Sequence, residues 1–86
     1  MMKEIVIDCA GMDTPRQLHS AFAAALNFPE WYGNNLNALH DCLTDISEPT
    51  VLTIRGIDEL GIFAGGFCRV LEDSQAENPD LTVHME

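Results

Sequence analysis

Apolar residues recur three or four positions apart over residues 36–46, the spacing of one face of an α-helix. The positions that form this stripe are Leu36, Leu39, Leu43 and Ile46. Asn37, Asp41 and Thr44 fall on the opposite side of the helix, and His40 lies at the border between the two faces. The pattern therefore predicts a helix that buries one face and leaves the carboxylate of Asp41 without a partner on the other.

An earlier helical pattern begins at Thr14, whose hydroxyl can cap a helix. Pro15 suits the first helical position, and Gln17 stands where the partner of a capping box reaches back. The apolar stripe that follows, before Asn27 ends the helix, consists of Leu18, Ala21, Phe22, Ala25 and Leu26. His19 lies off this stripe, so its side chain is expected to be exposed to solvent.

Three segments have strand composition, namely residues 4–7, 50–54 and 81–85. The second is rich in β-branched residues and is predicted to be the central strand. Because helices connect the strands, the sheet is predicted to be parallel, with strand order 1-2-3 and right-handed crossovers on one face. The predicted fold class is α/β, a two-layer domain in which a three-stranded parallel sheet packs against helices.

The segment between the second and third strands is predicted to be helical. Residues 57–62 are expected to form a short helical turn, and a longer helix is entered through Gly65 and Gly66. Its apolar positions are Phe63, Phe67, Val70 and Leu71. Asn78 and Pro79 are expected to end it.

An aromatic loop precedes the helix over residues 36–46. Its Trp31 and Tyr32 can pack beneath the loop, as such pairs usually do in small domains, or can serve as interface anchors. One of the pair can also be buried while the other points outward. Asn34 or Asn35 is expected to cap the helix, and Gly33 is expected to supply a positive φ before it.

Charge limits the class of partner. The 86 residues suit one domain spanning residues 1–86, and four Lys and Arg against fourteen Asp and Glu give a formal net charge of -10. Direct binding of nucleic acid is not expected, because the few cations are widely separated and phosphate contacts need clustered ones. The acidic field favours a basic partner, although the charge can also serve solubility alone.

Localisation is predicted from the same sequence. The uncharged stretches are too short and too polar to cross a membrane, and the N-terminal residues lack the apolar core of a signal peptide. Cys9, Cys42 and Cys68 are odd in number and form no CxxC pair, which favours reduced thiols. A cytoplasmic monomer is therefore expected.

The sequence gives little support for catalysis. His40, Asp41 and Cys42 contain the ingredients of thiol chemistry, but successive helical residues point about 100° apart, so adjacency works against a catalytic pair. Cys42 flanks the apolar stripe, which favours a structural thiol. The histidines lie in different elements without metal-ligand spacing, and no glycine-rich phosphate loop occurs. Neither an enzyme nor a cofactor or metal site is predicted.

Residues 29–44 read Pro-Glu-Trp-Tyr-Gly-Asn-Asn-Leu-Asn-Ala-Leu-His-Asp-Cys-Leu-Thr. This run, with its aromatic pair, glycine, Asn-Leu, Ala-Leu and Asp-Cys-Leu-Thr, resembles the signature of the barstar-like ribonuclease inhibitors. The similarity extends more weakly through Pro49, residues 76–77 and residues 80–82, and so over nearly the whole chain. The predicted fold is the fold of that family.

The resemblance implies an intracellular, stoichiometric inhibitor that plugs the basic active site of a barnase-type or related microbial ribonuclease with an acidic helix and an aromatic loop. Asp41 matches the aspartate that sits where substrate phosphate would, and Trp31 matches the aromatic residue that stacks in the cleft. Gly33 and Asn35 match contacts beside that aromatic residue.

Other positions match a secondary contact patch or depart from the family pattern. Val70 and Asp73 match a patch on the last helix, whereas Asn37 and His40 stand where a well-known member has an aspartate and a tryptophan. The implied partner-binding set is Trp31, Gly33, Asn35, Asn37, His40, Asp41, Thr44, Val70 and Asp73. The two departures leave open a different basic ribonuclease, or a toxin-immunity or other interaction module that binds another basic protein without barnase inhibition.

Overall fold

A computed structural model describes residues 2–86 and shows the order of elements that the sequence predicts. The bounds are β1 (Lys3–Asp8), α1 (Pro15–Leu26), α2 (Leu36–Thr44), β2 (Thr50–Arg55), a 3₁₀ helix (Ile57–Phe63), α3 (Ala64–Glu77) and β3 (Leu81–Met85). α2 ends two residues before the predicted Ile46, with Asp45 as its C-cap.

The strands form a parallel sheet in the order β1-β2-β3, which confirms the predicted topology. One face of the sheet is buried, and its buried apolar side chains are Ile5, Ile7, Leu52, Ile54 and Leu81. The alternate positions are more exposed, and Val6 on β1 is 61% exposed. The helices therefore cover one face only, and the predicted two-layer α/β class is confirmed.

α1 begins with the predicted capping box. The hydroxyl of Thr14 accepts a hydrogen bond from the Gln17 backbone N–H at 3.4 Å, and Gln17 Oε1 accepts one from the Thr14 N–H at 2.9 Å. Asn27 ends the helix in the left-handed conformation with φ 58°. Local signals alone thus define both ends of α1.

The predicted exposure of His19 is wrong, because this residue is buried with 3% exposure. It shares a helix face with the fully buried Leu18 and Phe22, and its ring centroid lies 5.0 Å from that of Phe67 on α3. Its Nδ1 lies 2.7 Å from the Tyr32 hydroxyl. The buried face of α1 is wider than its apolar stripe, since it includes a polar side chain that has a hydrogen-bond partner.

The buried stripe of α3 is narrower than predicted. Phe67 and Leu71 are buried, and Val70 is half-buried against the core. Phe63 is 45% exposed and ends the 3₁₀ helix, so its predicted place in the stripe is wrong. The helix itself starts at Ala64, ahead of the two glycines.

Two contacts fix α2 against α3 and so position the exposed face of α2. Near the start of α2, a Cβ on Gly66 would lie only 3.0 Å from Leu36 Cδ1, so the two helices approach closely there. At the other end, Asn78 Nδ2 donates to the carbonyl oxygens of Leu43 at 2.9 Å and Ile46 at 3.0 Å. These bonds satisfy carbonyl groups that the end of α2 leaves free. Of the helices within residues 2–86, none is both long enough and apolar enough to pass through a bilayer.

Candidate partner-binding site

The aromatic loop meets α2 through an asparagine cap. Asn35 Oδ1 accepts a hydrogen bond from the Ala38 N–H at 2.8 Å, and its Nδ2 donates to the Gly33 carbonyl at 3.2 Å. Asn35, one of the two predicted candidates, is therefore the N-cap. Both ends of its amide are occupied within the chain, so it fixes the loop to the helix.

The predicted positive φ of Gly33 is wrong, because the left-handed residue at this point is Asn34 with φ 51°. Asparagine tolerates that conformation better than most residues. Gly33 is needed for a different reason, since a Cβ there would lie 2.9 Å from Nδ2 of the capping Asn35. A side chain at Gly33 would displace the cap that starts α2.

The two adjacent aromatic residues of the loop differ sharply in burial. Tyr32 is 7% exposed, and its ring packs against Phe28 with centroids 5.0 Å apart. Burial, with a smaller contribution from Cys42, raises the pKa of the Tyr32 hydroxyl well above its ordinary value. Trp31 is 83% exposed. Of the alternatives for this pair, one buried and one outward residue is the arrangement observed.

An open groove of about 600 Å³ lies between the aromatic loop and α2. It brings together four of the predicted partner-binding residues, namely Trp31, Gly33, Asp41 and Thr44. The Thr44 hydroxyl donates to the carbonyl oxygen of His40 at 2.8 Å, so this side chain is held along its own helix. The exposed indole of Trp31 and the carboxylate of Asp41 therefore line the same concave surface.

The carboxylate of Asp41 is exposed and has no ion pair among residues 2–86. Two of the chain's four cations are engaged elsewhere, Lys3 with Glu48 at 3.8 Å and Arg55 with Glu86 at 3.3 Å. Because no cation of the described chain neutralises Asp41, the groove presents net negative charge to solvent.

Asp45 lines the groove as well, although the sequence pattern did not single it out. Its backbone N–H donates to the Asp41 carbonyl at 3.2 Å, one turn away along the helix. The signal in the sequence was the four-residue spacing from Asp41, which places two carboxylates on neighbouring turns of one face.

Cys42 follows Asp41 in α2, lines the groove and is half-buried. Burial raises the pKa of its thiol, and the negative charges of Asp41 and Asp45 raise it further. A nucleophilic cysteine needs the opposite environment, one that favours the thiolate. The structural reading of Cys42 is therefore favoured over the catalytic one.

The other predicted site residues lie outside the groove. Asn37 is exposed on α2, four residues before Asp41, whereas His40 points toward α3, where its Nε2 contacts the carboxylate of Glu77. Val70 and Asp73 precede Glu77 by seven and four residues, so these three side chains follow one line along α3. The predicted secondary patch thus borders α2 through the His40 and Glu77 contact, which the sequence did not reveal.

Metal binding has no candidate site in the part of the chain that the structure describes. No three side chains among its His, Cys, Asp and Glu residues are grouped so that they could hold an ion. The features available for recognition at the groove are therefore an exposed indole, two carboxylates and the backbone of the loop.

Comparison with known proteins shows similarity that spans nearly the whole chain. Residues 2–85 match the Barstar family, described as "Barstar (barnase inhibitor)". The chain is also 32% identical, over 84 residues that cover 92% of each chain, to a protein of Bacillus subtilis (strain 168) named "Putative ribonuclease inhibitor YrdF". The chain belongs to the barstar family of barnase inhibitors.

Proposed function

We propose that this protein inhibits a ribonuclease stoichiometrically by inserting its aromatic loop and the exposed face of α2 into the basic active-site cleft. The observation that supports this most directly is that Trp31, 83% exposed, and the unpaired Asp41 line one groove on a chain of the barstar family. A ribonuclease site stabilises phosphate with cationic side chains, and an acidic surface is its electrostatic complement. No reaction is catalysed by the inhibitor.

Four residues of the proposed interface have distinct physical roles. Asp41 takes the place of the substrate phosphate, and the indole of Trp31 stacks in the cleft as the aromatic anchor. Gly33 and Asn35 present the loop in the shape that the cap fixes. The complete proposed set is Trp31, Gly33, Asn35, Asn37, His40, Asp41, Thr44, Val70 and Asp73.

The charge of the chain bears on the kinetics of this proposed complex. A net charge of -10 on 86 residues attracts a basic enzyme over distances of several ångströms. Association should therefore be fast at low ionic strength and should slow as salt screens the attraction.

The proposed site of action is the cytoplasm of the producing cell. The three cysteines are free, and free thiols suit a reducing compartment.

A second candidate function is an immunity or interaction module for a different basic protein, such as a toxin domain with a related cleft. The observation that favours it concerns the two residues of α2 that depart from the family pattern near Asp41. Asn37 carries no charge, and His40 is engaged with Glu77 in place of a free aromatic anchor. Both features weaken the expected match to a barnase-type enzyme while leaving the acidic groove intact.

The experiment that tests the first proposal is a titration of the activity of a barnase-type ribonuclease with the purified protein at low and physiological salt. Stoichiometric inhibition is expected from the natural sequence. Asp41→Ala should weaken inhibition by at least about 30-fold, because it leaves cationic groups of the cleft unpaired. Asp58→Ala serves as the matched control, since it removes an exposed carboxylate that lies outside the groove.

The outcomes separate the two candidate functions. Inhibition that is lost in Asp41→Ala and kept in Asp58→Ala supports the inhibitor mechanism and its site. Absence of inhibition at every ratio would contradict barnase inhibition and favour the module for another basic protein. Equal losses in both variants would contradict the assignment of Asp41 and point to net charge alone.

A further inference from the structure

Asp45 occupies a position at which a carboxylate is unfavourable for the fold. It is the C-cap of α2, where the helix dipole disfavours negative charge, and no basic residue lies in the last turn. It also follows Asp41 by four residues, a spacing at which like charges repel across one helical turn. The chain thus carries an acidic residue where helix electrostatics alone would favour a cation.

The surroundings of Asp45 do not offset this cost. Within residues 2–86 no hydrogen bond or ion pair to its carboxylate is observed, and the side chain is exposed. A residue that opposes local stability without a compensating contact is commonly one that serves binding. The other residues that line the groove with Asp45 indicate the kind of ligand that it would bind.

Asp45 lines the groove, together with Asp41 and the exposed Trp31. Two carboxylates offer acceptors to a planar donor, and an indole face stabilises a cation stacked on it. A guanidinium group meets both requirements, since it is planar, permanently charged and able to donate several hydrogen bonds while it stacks. A lysine ammonium, compact and strongly hydrated, meets them less well.

We propose that Asp45 is a specificity-determining residue of the groove, and that with Asp41 and Trp31 it receives an arginine side chain of the partner. This inference rests on the proposed function, because it names the group of the basic partner that enters the groove. Asp45 supplies at the end of α2 the second carboxylate that Asn37 does not supply near its start. The acidic centre of the interface is thereby moved from the start of α2 to its end.

The first experiment measures guanidinium recognition directly. Blocked tetra-arginine and tetra-lysine peptides are titrated into the full chain at low salt, and binding is followed by the fluorescence of Trp31, the one tryptophan of the sequence. Tetra-arginine should bind several-fold more tightly than tetra-lysine. Asp45→Asn should weaken tetra-arginine binding about tenfold, Asp45→Glu should retain most of it, and Asp58→Asn should change it less than about twofold.

A second measurement separates a binding role from a structural one. Asp45→Asn removes the unfavourable charge at the helix end, so its Tm should rise by about 2–4 °C while its affinity falls. A lower Tm together with weaker binding would overturn the inference, because loss of structure would then explain the loss of affinity. Equal peptide affinities of Asp45→Asn and Asp58→Asn would also overturn it.

Failure of this inference can be told apart from failure of the proposed function. Inhibition of a barnase-type ribonuclease by both the natural chain and Asp45→Asn, with equal affinity, overturns the role of Asp45 and leaves the inhibitor proposal standing. Arginine-selective binding that depends on Asp45, without inhibition of the enzyme, overturns barnase inhibition and supports the arginine-binding groove.

Discussion

The hydroxyl of Tyr32 lies 2.7 Å from Nδ1 of His19, and both side chains are buried. This contact joins the aromatic loop to α1, while the next residue back along the loop, Trp31, extends into solvent. The exposed indole is therefore carried by a loop that is anchored in the core. An anchored loop loses less conformational freedom on binding than a mobile one would.

Removal of the Tyr32 hydroxyl should destabilise the protein. In Tyr32→Phe, Nδ1 of the buried His19 loses its partner, and the expected loss in the free energy of unfolding is about 1–2 kcal/mol. Urea unfolding followed by circular dichroism measures this loss. Fluorescence is a poor probe here, because Trp31 is already 83% exposed in the folded state. A variant as stable as the natural chain would show that the hydrogen bond contributes nothing net.

Stability should decrease on mild acidification because of His19. Burial lowers the pKa of His19 below its ordinary value of 6.5, so the unfolded chain binds a proton more readily than the folded chain. The contribution of neutral, buried His19 to the free energy of unfolding is therefore fully present above about pH 6.5. This contribution is lost progressively as the pH falls below that value. Denaturation midpoints between about pH 7.5 and 5 measure the slope.

Two histidine variants test this assignment. His19→Gln should flatten the pH dependence above the range in which carboxylates titrate, whatever its effect on absolute stability. His84→Gln, at an exposed position on β3, is the matched histidine variant, and the slope should change more in His19→Gln than in this control. An unchanged slope in His19→Gln would assign the acid sensitivity to other groups.

Cys42 should report on the occupancy of the groove. Its raised thiol pKa, caused by burial and then by Asp41 and Asp45, predicts slow alkylation by iodoacetamide near pH 8. Asp41→Asn should speed the reaction, because it removes one of the charges that disfavour the thiolate. A bound ribonuclease should protect Cys42 and leave Cys68, outside the groove, unaffected. Mass spectrometry of the modified peptides distinguishes the two thiols, and equal protection of both would contradict the proposed site.

A carboxylate at position 37 should strengthen binding to a barnase-type ribonuclease. Asn37 is exposed on α2, one turn before Asp41, so Asn37→Asp extends the acidic face toward the start of the helix. The expected gain is about tenfold in affinity, with a steeper dependence of the association rate on salt. Stopped-flow association at two ionic strengths measures both quantities. Asn27→Asp adds the same charge at the end of α1, and an equal gain there would indicate a nonspecific field effect.

Most of the fold could be predicted because its signals are local. The capping box of Thr14 and Gln17, the β-branched residues of β2 and the Asn78-Pro79 stop each act within a few residues of the boundary that they define. The prediction for Gly33 failed locally, because the neighbouring Asn34 adopts the left-handed conformation instead. The prediction for His19 failed for a tertiary reason. His19 is buried because Tyr32, 13 residues away, supplies a hydrogen bond that an apolar pattern does not contain.

The candidate site was partly predictable, because some of its signals are also local. Trp31 and Asp41 stand out in the sequence as an aromatic anchor and an unpartnered carboxylate, and the groove brings them together. The contact between His40 and Glu77 joins residues 37 positions apart, so only the packing of α3 on α2 reveals it. Asp45 was missed because its significance depends on the loop opposite it.

The negative charge of this chain has a second consequence, which concerns aggregation through the face and edges of the sheet that the helices leave uncovered. β1 and β3 are both edge strands, and Val6 lies 61% exposed on the face that the helices leave uncovered. Such edges can template pairing between copies, and like charge is one of the means by which proteins prevent it. The carboxylates that attract a basic partner should therefore also keep copies of this protein apart, and colloidal stability should be lowest near the sequence pI of 4.3.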